Sequence, residues 1–112
     1  MSVPIHNTMD LQGISYIIKN TNIRAVVCSF QLLPTFVQVS QSVPCLETII
    51  CMDALDAKQR EEFASQSKVK LFSMEEVEAI GRENPSDFVY IKDDDLSSVV
   101  YTRFSIVPTF LI

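Results

Sequence analysis

Apolar positions along this chain recur in two alternating rhythms. Leu11, Ile14, Ile17 and Ile18 fall at helical spacing. With Asn7 or Thr8 as the capping residue they predict a first helix, closed by the cluster Asn20-Thr21-Asn22. Ile23 to Cys28 is then a nearly continuous β-branched run, interrupted by Arg24. Too short for a helix and not alternating, it predicts a central strand of a parallel sheet covered on both faces. From Ser29 the helical period returns in Leu32, Leu33, Phe36 and Val37, with Pro34 tolerated in the first turn and Ser42-Val43-Pro44 as the stop. Leu46 to Met52 predicts a second buried strand, centred on Ile49-Ile50-Cys51.

The second half continues the alternation. Asp53 to Lys68 holds a polar helix around Gln59-Arg60-Glu61-Glu62-Phe63-Ala64, expected as an exposed crossover, and Val69 to Phe72 a third strand. Ser73-Met74-Glu75-Glu76 fits a capping box, in which the Ser73 hydroxyl accepts from the Glu76 N–H and the Glu76 carboxylate accepts from the Ser73 N–H. Met74, Val77 and Ile80 form the inner stripe of that helix, and Asn84-Pro85 ends it. A loop rich in Asp and Ser leads into a closing strand, Leu96 to Tyr101. The expected fold class is α/β, with helices alternating with parallel strands through right-handed crossovers. Ligands of such sheets collect beyond the carboxyl ends of the strands.

Composition sharpens this. With 112 residues, 47% apolar and 21% charged, the chain is ordinary globular material for one small domain or part of a larger one. Only two glycines occur, Gly13 and Gly81, isolated and distant, so they cannot form a glycine-rich phosphate cradle. A net charge of −5 argues against nucleic acid and anionic membranes as partners. Cys28, Cys45 and Cys51 form no C-x-x-C pair and read as buried, reduced thiols. With His6 the sole histidine, no zinc set is expected. No signal peptide is visible in residues 1–7, and no run reaches the ~20 apolar residues that span a bilayer.

Candidate chemistry is sparse. Asp93-Asp94-Asp95 has the oxygen donors that Mg²⁺ takes, but reads better as a solvated loop before a strand. Glu61-Glu62 and Glu75-Glu76 are adjacent on helices and point apart, which suits capping and solubility rather than acid–base work. His6 has no neighbouring nucleophile to activate. No catalytic or metal-binding residue is expected. Tyr101 and Thr102 are the polar residues at the carboxyl end of the last strand, where a phosphate loop would open.

In order and spacing, Ser2 to Thr102 resembles a stretch of the long-chain acyl-CoA synthetases, AMP-forming adenylate ligases. The matching pieces include Ser2-Val3-Pro4-Ile5 with Asn7-Thr8, Ile17-Ile18-Lys19-Asn20-Thr21 leading into Ala25-Val26-Val27, and Val43-Pro44-Cys45-Leu46-Glu47-Thr48-Ile49-Ile50. Met52-Asp53, Phe72-Ser73-Met74-Glu75-Glu76-Val77 and Gly81-Arg82-Glu83-Asn84-Pro85 continue the likeness. Its most telling piece is Asp94-Asp95-Leu96-Ser97-Ser98-Val99-Val100-Tyr101-Thr102. In the family this run enters a Tyr-Thr-Ser-Gly-Thr-Thr-Gly-type phosphate loop, so the resemblance makes Thr102 the first residue of that cofactor-binding motif. At Arg103 the sequence departs.

The resemblance implies part of the N-terminal domain of the AMP-binding ligase fold over residues 1–102, followed by a divergent apolar tail over 103–112. It implies a family reaction in which ATP and a fatty acid give an acyl-adenylate, which coenzyme A converts to a thioester. Mg²⁺ offsets the phosphate charge in the family. By the resemblance, the rest of the phosphate loop after Thr102, the later acidic residue that holds the ribose and the catalytic lysine have no counterparts in this sequence. A fragment inactive by itself is therefore expected, in the cytoplasm or on the cytosolic face of the endoplasmic reticulum or peroxisome. Its sheet edges and tail make self-association an expected property. The competing expectation is a catalytically dead α/β interaction module that docks onto a full-length synthetase. A flavodoxin-like nucleotide binder is a third, disfavoured by the glycine poverty.

Overall fold

The computed structural model describes residues 1–101 and the strand at 109–111. Helix α1 (Leu11–Thr21) is capped by Asp10, whose carboxylate accepts the Gly13 N–H at 2.8 Å. The sequence pointed to Asn7 or Thr8, but those residues form a turn, and Asp10 stands where its oxygen meets the third N–H of the helix. At the other end Asn22 adopts the left-handed conformation (φ 54°, ψ 41°), alone among described non-glycine residues in having positive φ. Its N–H closes onto the carbonyls of Ile18 and Lys19. The chain then enters β1 (Ala25–Cys28), a short 3-10 turn at Phe30–Leu32, and α2 (Leu33–Ser42), with Pro34 in its first turn.

Strand β2 (Thr48–Cys51), helix α3 (Ala57–Gln66), strand β3 (Lys70–Ser73) and helix α4 (Met74–Glu83) follow. The three strands form one parallel sheet in the order β1-β2-β3. Register places Val26, Ile49 and Leu71 in one row and Cys28, Cys51 and Ser73 in the next. Val26, Cys28, Ile49 and Cys51 of these rows form the core with Ile14, Ile18, Leu33, Phe36 and Val37 of α1 and α2, and Leu71 packs against it.

That core is one-sided. The expectation for β1 was a central strand buried on both faces; instead it is the outer strand of the sheet, and Val27 on its other face is 54% exposed. The β-branched run is continuous, yet burial along it alternates. Helix α4 lies near β2 and β3, but of its expected inner stripe Met74 and Val77 are half-buried and Ile80 is exposed.

The capping box belongs to another helix than expected. Ser73 accepts from the Glu76 N–H at 3.4 Å, but the Glu76 side chain turns instead to Arg60 of α3. The reciprocal pair is at α3: Asp56 accepts the Gln59 N–H at 2.7 Å and Gln59 accepts the Asp56 N–H at 3.2 Å.

The closing strand also differs in its partners. Strand β4 (Ser98–Val100) is not in the three-stranded sheet but pairs antiparallel with β5 (Thr109–Leu111), and a parallel bridge ties Ser98 to Ser2. The remainder of the expected tail, and Thr102, lie outside the described residues.

Candidate functional site

Two places gather polar groups at the carboxyl ends of strands. The first is where β4 ends. Tyr101 is held by α1 in two ways: its hydroxyl oxygen accepts from Asn20 Nδ2 at 2.7 Å, and its ring meets that of Tyr16 edge-on, centroids 6.2 Å apart. Val99 beside it is 1% exposed. The chain therefore leaves β4 from a fixed point, one residue before Thr102, and nothing is described of Thr102 itself.

The second place is beyond β1 and β2. Asp53 Oδ2 accepts the Phe30 N–H at 2.8 Å, which fastens the turn after β1 to the end of β2. Cys28 and Cys51 stand opposite each other in register, 3% and 0% exposed. Burial pushes the Cys28 thiol up to about 12, with Cys51 and Asp53 adding to the shift. A thiol so protonated is a poor nucleophile and a poor metal ligand. Cys45, half-buried, points its Sγ at the Ile18 carbonyl, 3.8 Å away.

The other sequence candidates separate. Asp95 accepts the Lys92 N–H at 2.8 Å, so Asp93-Asp94-Asp95 forms a surface turn. Among the described residues no group of three His, Cys, Asp or Glu is placed to hold a metal ion. Glu61, Glu62 and Glu75 are exposed. Glu76 pairs with Arg60, and that hydrogen bond holds the Glu76 carboxyl below its ordinary range and raises the guanidinium. His6 lines a cleft of about 500 Å³ between residues 1–7 and β1.

Neither glycine sits in a loop. Gly13 is inside α1 against Met9 and Asp10, and Gly81 is in α4 with open space around it. Sequence reasoning missed Asp53, Asn20 and Tyr16 as fasteners of the strand ends. Asn20 read only as a helix stop, and a partner 81 residues away leaves no local signal.

No protein-family model matches the chain. Fatty acyl-CoA synthetase B of Dictyostelium discoideum is 28% identical over 108 residues, 95% of this chain and 16% of that protein. Long-chain-fatty-acid–CoA ligase 5 of Mus musculus is 30% identical over 105 residues, 91% of this chain and 15% of its own length. Peroxisomal long chain acyl-CoA synthetase 6 of Arabidopsis thaliana is 24% identical over 91% of this chain. The chain spans about one-sixth of the length of the curated relatives it matches. Among solved structures, the A-PCP didomain of carboxylic acid reductase from Segniliparus rugosus, in complex with AMP, superposes with a TM-score of 0.79 at 23% identity, over 90% of this chain and 16% of that one. The adenylation domain of a carboxylate reductase from Mycobacterium chelonae gives 0.75 at 20% identity over 90% of this chain.

The fold is that of part of an AMP-binding adenylation domain. Its homologues in sequence are long-chain acyl-CoA synthetases, aligned over a short part of their length. Within the described residues the parallel sheet and the helices between its strands are present.

Proposed function

We propose that this chain is the helix–strand layer that precedes the phosphate loop in a long-chain fatty-acid–CoA ligase, and that alone it carries out no ligation. The observation that carries the reading is sequence similarity to such synthetases over 91–95% of the chain. In this reading the whole ligase activates a fatty acid with ATP and Mg²⁺ and passes the acyl group to coenzyme A. Residues outside this sequence supply the phosphate cradle and the catalytic lysine. This chain's contribution is positional. Tyr16 and Asn20 hold Tyr101, and so set where Thr102 opens the motif. The Arabidopsis relative named as peroxisomal supports the peroxisome as one place of action.

A segment exchange tests this. Residues 1–101 replace the homologous stretch of the mouse ligase, and fatty acid-dependent pyrophosphate release is measured. Retained release is the expected result. A chimera that folds yet forms no acyl-adenylate overturns the reading. Acyl-CoA formation by the 112-residue chain alone would overturn its inactivity.

A further inference from the structure

Phe88, Val89, Tyr90 and Ile91 are 95%, 89%, 91% and 88% exposed. They follow one another in a segment without helix or strand partners among the described residues, between Pro85 and the turn at Asp93. Four consecutive large side chains of high β-propensity are an unpaired strand in composition. The same molecule has an unpaired place for one. The outer edge of β1 has no ladder partner among the described residues, and the cleft of about 500 Å³ separates it from residues 1–7. An exposed edge beside a groove is the geometry by which an extended segment adds to a sheet.

We propose that two copies of this chain exchange these segments, the 88–91 run of one adding as a parallel strand to the outer edge of β1 in the other. Pattern and charge both select the register. With Val89 opposite the partner's Val26 and Ile91 opposite the partner's Cys28, β-branched side chains extend the two buried rows of the sheet. Phe88 and Tyr90 then fall on the other face, over the half-bare side where Val27 is 54% exposed. Asp87 comes beside the partner's Arg24, and Lys92 reaches toward the partner's Asp53 at the carboxyl end of the sheet. The antiparallel alternative sets Lys92 by Arg24 and Asp87 by Asp53, two like-charge contacts. Each copy gives one segment and receives one, so the exchange closes as a two-fold dimer.

Sedimentation velocity on the purified chain, from low to high micromolar, should reveal a monomer–dimer equilibrium. Val89→Pro removes a ladder donor at a position outside the monomer core and should weaken dimerisation at least tenfold, with an unchanged circular dichroism spectrum. Asp87→Arg should weaken it several-fold, and Asp87→Arg combined with Arg24→Asp should restore it. A chain that stays monomeric throughout, whatever other polypeptide it captures, overturns the exchange. So does a dimer indifferent to both Val89→Pro and the Asp87→Arg reversal.

Discussion

Asn20 and Tyr101 lie 81 residues apart in sequence and are joined by a 2.7 Å hydrogen bond. It ties the end of the first helix to the end of β4, two elements with no shared ladder. The bond is exposed, so its net worth lies toward the low end of about 0.5–1.5 kcal/mol. Tyr101→Phe keeps the ring against Tyr16 and loses only the hydroxyl. Urea denaturation should show a loss of about 0.5 kcal/mol, and a double-mutant cycle with Asn20→Ala should assign most of it to the pair. Independent, additive losses would count against the tie.

The Asp56–Gln59 box makes α3 the sharpest test of local capping. This helix has no fully buried residue, so its start depends on the cap more than on packing. Asp56→Ala should cost about 1 kcal/mol, read as a lower urea midpoint at unchanged slope. No change at all would mean that α3 is already frayed in solution.

Cys28 predicts a pH dependence with a definite sign. Its folded-state value is raised from 9.0 to about 12, so the unfolded chain loses this proton first as pH rises. Above pH 9 the unfolded state binds fewer protons, and stability falls until about pH 12. Cys28→Ala should flatten the decline in urea midpoint between pH 8 and pH 10 relative to the parent, apart from its uniform packing cost. An equally steep decline in the variant would locate the effect in another group. In the folded protein a thiol reagent should modify half-buried Cys45 well before Cys28 or Cys51.

The one-sided core separates two positions of similar chemistry. Leu33 is 0% exposed and Val27 54%. Leu33→Ala should cost about 2–5 kcal/mol. Val27→Ala should cost less than about 1 kcal/mol, since most of its side chain already meets water. Comparable losses, measured by denaturation, would show that the second face is covered in solution.

These contrasts mark what the sequence carried and where it stopped. Every helix and every strand through β4 was legible from period and turn residues, because both signals are local. The parallel pairing of β1, β2 and β3 was legible from the helix between each pair. What escaped was decided by partners remote in sequence. Ser73-x-x-Glu76 has the residues of a capping box, but Arg60 competes for the Glu76 carboxylate from another helix. Ile23 to Cys28 looked doubly buried because composition reports hydrophobicity and not which face meets a neighbour. The Tyr101 tie could not be seen at all, since Tyr16 and Asn20 fit an ordinary amphipathic helix.

Asn22 gives the sheet its phase. Its left-handed turn leaves three residues, Asn22 to Arg24, between the end of α1 and the start of β1, and so bears on which side of the ribbon each β1 residue takes. Side chains along a strand alternate, so a helix longer by one residue would bring Val27 inward and turn Val26 and Cys28 toward water. In this sense the handedness of a single asparagine bears on whether the Cys28 thiol faces the core or the water.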